Sequence, residues 1–175
     1  MPELSLDLIV DAPADAVWDV VGRRFDRIGD WATVIPASVA VPSPATVCPA
    51  APVAGCVCQT GVPLLPRVTE MLVAYDEAGR SLTYEAAGMP AFVAVARNTW
   101  TVVPLDERRS RVRLQARFDT RGLLGRLARW AILARVRRTN RYLAEDLQHY
   151  VEHGTPSPRK QAQLASTRGG GAVTM

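Results

Sequence analysis

The feature that most constrains this chain is a helical signal from Leu123 to His153. It contains no proline, and apolar residues recur at helical spacing at Leu124, Ile132, Val136, Leu143, Leu147 and Val151. At about 100° per residue these positions share one stripe, which Leu127, Trp130 and Leu133 widen at the front end. Gly122 and Gly125 interrupt the pattern at its start, and Gly154 with Pro156 closes it. Such a helix runs roughly 45 Å at about 1.5 Å per residue. Its apolar face needs an equally long partner, and the strands that precede it are the candidates.

Those strands can be read in order. Leu4, Leu6, Leu8 and Val10 alternate with Ser5 and Asp7, the period of a half-buried strand. Asp11-Ala12-Pro13-Ala14-Asp15 starts a helix, because proline suits a first turn and acids favour its positive end. Val17, Trp18, Val20 and Val21 make it short, and Phe25 to Trp31 reads as a second short helix. Ser38 to Val41 is a weak strand. Residues 42–55 hold four prolines, which lack the ladder donor, so they form a loop. A tolerated insertion is the favoured reading of that loop over a lid. Gly55–Val62, Arg67–Tyr75, Ser81–Ala87, Phe92–Val103 and Ser110–Asp119 follow as strands. In the last one Val112, Leu114, Ala116 and Phe118 alternate with Arg111, Arg113, Gln115 and Arg117, so one face of the sheet is wet.

Strands grouped between helices predict an α+β fold, with a curved antiparallel sheet of about seven strands wrapped around one long C-terminal helix. Two short helices follow the first strand. The folded domain is expected over residues 1–154. Residues 155–175 are rich in Pro, Ser and Gly without periodicity, and a disordered tail is expected there.

Several function classes are disfavoured. The three cysteines, Cys48, Cys56 and Cys58, make no even disulfide framework. Both histidines, His149 and His153, lie far downstream at zinc-incompatible spacing, so no metal site is expected. With Glu145 they could share one helix face, but an exposed helix end is the favoured reading. No Ser/His/Asp set or Gly-rich phosphate loop is present, and no cofactor is expected; Gly122-Leu123-Leu124-Gly125 is too short for such a loop. No apolar run reaches the roughly 18 residues of a membrane span, and the first residues lack the basic region of a signal peptide. A cytoplasmic location is therefore expected. From Thr120 to Ala144 there are seven arginines and no acid. The favoured reading is a solvated face. The sharper one is contact with an anionic membrane or acidic partner through Arg126, Arg129, Arg135, Arg137, Arg138 and Arg141. Nucleic acid is not expected, since no aromatic platform or known motif accompanies them.

Several phrases carry a resemblance. They are Ala12-Pro13-Ala14-Asp15-Ala16-Val17-Trp18, Ile28-Gly29-Asp30-Trp31, Thr69-Glu70-Met71-Leu72 with Tyr75-Asp76, and Arg80-Ser81-Leu82-Thr83-Tyr84 followed by Pro90. Together with the Arg-rich final helix, they resemble the START-like helix-grip (SRPBCC) superfamily over residues 3 to about 153. Within it the chain is most similar to the polyketide cyclase/dehydrase and lipid-transport family. The stretch 42–58 departs from the family's short connection and leaves the register of the second and third strands open. The resemblance implies a cavity between sheet and helix that takes a small hydrophobic molecule of lipid, polyketide or isoprenoid type.

Alternation selects its lining. If Val112, Leu114, Ala116 and Phe118 face inward, the matching set on the strand before is Ala94, Ala96, Asn98, Trp100 and Val102. Val95, Arg97, Thr99, Thr101 and Val103 fall on the wet face. The resemblance also implies inward positions for Glu70 and Tyr84. The expected ligand contacts are Glu70, Leu72, Leu82, Tyr84, Ala96, Asn98, Trp100, Leu114 and Phe118 from the sheet. Leu127 and Ile132 add to them from the helix, and Trp31 is expected near the mouth. Glu70 facing solvent, and Tyr84 and Trp100 as plain core aromatics, remain open alternatives. An inward Glu70 would have a raised pKa. Three functions follow: a binder or carrier of a hydrophobic molecule; a polyketide aromatase/cyclase using Glu70 and Tyr84, with Arg67 steadying an enolate if it faces inward; or an interaction module using the Arg-rich helix.

Overall fold

The computed structural model describes residues 3–41, 48–62 and 65–169, with the side chains of 123–129 and 168–169 outside that description. The alternation at Leu4–Val10 becomes β1 (Glu3–Val10). The other strands are β2 (Ser38–Ala40), β3 (Gly55–Val62), β4 (Leu65–Asp76), β5 (Ser81–Ala87), β6 (Val93–Pro104) and β7 (Ser110–Thr120). They form a seven-stranded sheet of order β1-β7-β6-β5-β4-β3-β2, antiparallel at each junction. Hairpins carry the chain from β2 to β7, and β1 then closes the far edge beside β7. Register shifts at Gln59/Val62, Leu72/Ala74 and Val93/Val95 interrupt the ladders. Irregularities of this kind bend strands and increase twist, which lets a sheet curve.

Between β1 and β2 lie α1 (Ala14–Trp18), a π-helical turn (Asp19–Arg23), a 3₁₀ turn (Phe25–Arg27) and α2 (Ile28–Trp31). The second short helix expected from Phe25 therefore begins as a tighter 3₁₀ turn. Trp18 is fully buried and its Nε1 donates to Glu77 Oε2 at 2.9 Å. The long helix is α3 (Gly122–His153), and Gly154, at φ 71°, closes it in the left-handed conformation, with its N–H donating to Tyr150 O at 2.9 Å.

The apolar stripe of α3 divides along its length. Leu133, Leu143, Ala144 and Leu147 are buried, whereas Ile132 and Val136 beside Leu133 are half-buried. Trp130 does not join the stripe as expected, being 75 % exposed. At about 100° per residue, position 130 lies roughly 100° round the helix from Leu147, on the flank rather than the face. Leu124 and Leu127 fall outside the described side chains, as do Arg126 and Arg129; residues 42–47 of the Pro-rich loop lie outside the described residues altogether.

The expected disordered tail is corrected. Residues Pro158–Gly169 form a helix, α4, while residues 170–175 lie outside the described set. Lys160, the only lysine in the chain, is fully buried. Its Nζ donates to Ile35 O (2.8 Å), Pro36 O (3.1 Å) and Gln163 Oε1 (3.0 Å). Gln163 Nε2 donates to Thr33 O at 3.1 Å. On α3, the fully buried Asp146 accepts from Thr33 N, Ser157 Oγ and Arg159 Nη2. The loop after α2 is thus held between α3 and α4 by polar contacts. Such an attachment leaves no apolar period in the sequence.

Candidate functional site

Residues directly opposite in an antiparallel sheet share a face, so the register defines the inner surface. One row runs Leu72–Tyr84–Asn98–Ala116–Leu4, and another runs Leu82–Trp100–Leu114–Leu6. Ala96 faces Phe118, and Cys56, Glu70 and Ala86 face one another in turn. The lining expected from alternation is therefore gathered on one face. Leu72, Leu82, Tyr84, Trp100, Leu114 and Phe118 are all buried there.

Other members of the same face are not covered. Leu4, Leu6, Glu70, Ala86, Ala96 and Asn98 are only half-buried, as are Ile132 and Val136 on the stripe of α3. At the opposite end of the rows, Val10, Val102 and Val112 are 0–2 % exposed. The inner face is closed around Val10, Val102 and Val112, and solvent partly reaches it at the half-buried positions. Those positions are mostly apolar, with Glu70 and Asn98 as their polar members.

Some expectations are corrected. Ala94 sits in the bulge and is exposed, because the extra residue reverses the alternation at that end of β6. Arg67 is exposed and cannot serve the interior. Trp31 is 2 % exposed and does not stand at an opening. It lines a cavity of about 10 Å³ with Val20, Val21, Phe25, Ile28 and Trp100, room for about one water. Its Nε1 has no hydrogen-bond partner among the described residues. A larger depression of about 840 Å³ lies elsewhere, bounded by Asp11, Pro13 and the Asp106–Arg109 turn. Five of its six lining residues are charged, and it is an open groove between loops. His149 and His153 stack with ring centroids 4.4 Å apart, while Glu145 is engaged by Arg159 Nη1 at 2.8 Å, so the helix-end trio does not assemble.

The structure also assembles a cluster absent from the expected site. Cys56 and Cys58 lie on β3, two residues apart and hence on one face, and both are fully buried. Their sulfurs are 3.2 Å apart, and Cys56 Sγ is 3.9 Å from Glu70 Oε2. One ligating atom from each of the three residues lies within 4.8 Å of the others. The available signal was the Cys-x-Cys spacing inside a strand. The neighbouring proline-rich loop hid it, and the facing Glu70 is identified only by the β3–β4 register.

Electrostatics at this cluster follow from burial. Desolvation raises Glu70 to about 7, against an opposing contribution from the two thiols that hydrogen-bond its charged form. The Cys56 thiol is pushed far above its ordinary value, first by its hydrogen bond to Cys58 and then by burial. Burial raises the Tyr84 hydroxyl as well, with the Glu70 charge adding to it. Phe25 packs against the Tyr84 ring at 5.2 Å between centroids.

Known structures share this architecture. A solution structure from Thermobifida fusca is 29 % identical, covering 87 % of this chain and 97 % of that one, with a TM-score of 0.61. The di-domain ARO/CYC BexL is 25 % identical over 87 % of this chain and 47 % of its own, so the match spans about half of that protein, with a TM-score of 0.65. A START superfamily protein from Mycobacterium smegmatis has 14 % identity, coverages of 87 % and 99 %, and a TM-score of 0.64, a likeness of fold. No functionally curated protein matches the sequence. A seven-stranded antiparallel sheet gripping one long C-terminal helix is the helix-grip fold of the START-like superfamily. The family model for polyketide cyclase/dehydrase and lipid transport matches residues 1–152, and the chain belongs to that family.

Proposed function

We propose that this protein binds and carries a small hydrophobic molecule of lipid, polyketide or isoprenoid type in the recess beneath the first half of α3. The observation that carries this reading is the half-burial of Leu4, Leu6, Ala96, Ile132 and Val136. These residues belong to surfaces that face each other, yet solvent reaches them. Apolar walls with a few polar groups suit an amphipathic guest whose tail is buried and whose oxygens are anchored. Glu70, Tyr84 and Asn98 would supply those anchors. Ile132 would close the recess from the helix, with Leu72, Leu82, Trp100, Leu114 and Phe118 as its floor and Trp31 behind it.

Native mass spectrometry of the purified protein tests this, followed by denaturation and identification of what is released. A stoichiometric hydrophobic passenger, lost in Ala96→Trp, is the expected result. An empty protein that also fails to bind fluorescent fatty-acid and polyketide probes would overturn the reading.

The 25 % identity to the di-domain ARO/CYC BexL favours a second reading as an aromatase/cyclase. The recess would fold a poly-β-ketone chain while Glu70 and Tyr84 hydrogen-bond its carbonyls. Glu70→Gln and Tyr84→Phe should then abolish turnover of a model polyketide, and unchanged turnover in both variants would dismiss it. A third reading, membrane contact, draws on the exposure of Trp130 near the exposed Arg135, Arg137, Arg138 and Arg141. An interfacial tryptophan among cations suits an anionic bilayer. Sedimentation with vesicles should then require anionic lipid and weaken with salt. No binding at low salt would remove this reading.

A further inference from the structure

Three side chains that are anionic when they act as ligands converge on the inner face of β3 and β4. Cys56 faces Glu70 directly across the ladder, and Cys58 follows two residues along the same strand. Among the described residues, Glu70 has no ion pair. A half-buried, largely desolvated carboxyl against two buried thiols is an unfavourable grouping unless its members stay protonated or share a cation.

We propose that Cys56, Cys58 and Glu70 form a binding site for zinc(II). Two thiolates and one carboxylate suit this borderline-soft cation. The geometry is close to what the ion needs. With Zn–S bonds of about 2.3 Å, tetrahedral angles place two sulfurs about 3.8 Å apart and a sulfur about 3.6 Å from a ligating oxygen. The corresponding separations here are 3.2 Å and 3.9 Å, and all three ligating atoms lie within 4.8 Å of one another, so side-chain adjustments of about 1 Å bring them to the distances the ion needs. The ligands come from two paired strands rather than from a loop, which holds them in place before the ion arrives.

Binding is balanced as follows. Each thiol S–H bond breaks, two Zn–S bonds and one Zn–O bond to Glu70 form in place of bonds from the ion to water, and the two thiol protons leave to solvent. A Glu70 proton, where present, leaves too. The three anionic ligands and the ion together then carry a net charge of −1. Three protein ligands leave one tetrahedral position for water or for an oxygen of a guest molecule. The latter role rests on the ligand-binding reading, whereas the ion site itself does not. A disulfide between the cysteines is the competing state. Residues two apart on a strand are about 6.6–6.8 Å apart at Cα, at the upper limit of about 6.8 Å for a disulfide. The strand geometry therefore favours a shared ion over a bond.

The test is cobalt(II) titration of the full-length protein, purified under reducing conditions and stripped with chelator. The expected result is a near-ultraviolet thiolate-to-cobalt charge-transfer band that saturates at one equivalent and disappears on adding zinc(II). Cys48→Ser should leave it unchanged. Cys56→Ser, Cys58→Ser and Glu70→Gln should each weaken binding by more than about tenfold, since even outer-shell losses at metal sites reach that size. Absence of the band in the wild-type protein overturns the proposal without reference to any variant. It is equally overturned by a band that survives in the double Cys56→Ser/Cys58→Ser protein, by a band lost in Cys48→Ser, or by a Cys56–Cys58 disulfide that persists in reductant. Lipid-probe binding by the chelated protein is measured separately, so failure of the ligand reading and failure of the metal site remain distinguishable.

Discussion

Replacing Asp146 with alanine should loosen both the loop after α2 and the final helix. The carboxylate is fully buried and accepts from Thr33 N at 2.7 Å, Ser157 Oγ at 2.6 Å and Arg159 Nη2 at 3.2 Å. Arg159 is 43 % exposed and can return to water at little cost. The Thr33 N–H and the Ser157 hydroxyl cannot do so as readily. An orphaned buried donor costs about 1–3 kcal/mol, so two cost about 2–6 kcal/mol. Partial exposure of Thr33 brings the expectation to about 3 kcal/mol. For a chain of this length that corresponds to a fall in Tm of about 6–12 °C. Urea unfolding followed by tryptophan fluorescence measures it directly. A loss below about 0.5 kcal/mol, the range of ordinary surface substitutions, would refute the argument. A second arm isolates the contact: in a chain ending at Gly154 the Ser157 partner is gone, and Asp146→Ala should cost roughly half as much. Full additivity of the two changes would show that Asp146 and α4 are not coupled.

Other expectations follow from the same structure. Hydrogen bonds from Tyr75, Trp18 and Arg23 lower the Glu77 carboxyl from 4.5 to about 2. Because the folded value is the lower one, ionised Glu77 stabilises the protein above pH 4.5, and its contribution fades as pH falls towards 2. Glu77→Gln should flatten acid unfolding in that window, and an unchanged profile would contradict the assignment. Leu147 is fully buried on the inner side of α3, so Leu147→Ala should cost about 2–5 kcal/mol in denaturant unfolding. A Cβ at Gly29 would press into the backbone of Ala37 and Ser38. Gly29→Ala should therefore lower stability by about 1–3 kcal/mol, read as a drop in Tm.

Much of this architecture was legible in the residues because period-2 and period-3.6 patterns report which side of an element meets apolar neighbours. The limits of β3 and β5, and most of β1, β6 and β7, coincide with the alternation. The burial of Trp100, Leu114 and Phe118 follows from the same parity, while the inward side of Tyr84, and of Leu72 and Leu82 with it, comes from the family resemblance. Parity fails where a bulge inserts a residue, which is why Ala94 turns outward. It also says nothing of position around a helix flank, which is why Trp130 is exposed.

By itself, then, the sequence determined the order of elements, the faces that pack and the family resemblance, because these arise from local spacing. Tertiary structure alone decided which distant polar groups meet. Lys160 reaches the carbonyls of Ile35 and Pro36 across more than a hundred residues, and α4 exists as a docked helix through such contacts. Glu70 meets Cys56 and Cys58 only because the β3–β4 register sets them opposite. Hydrogen bonds and shared ligands need atoms placed within a few ångströms, and no periodicity of the chain encodes that placement.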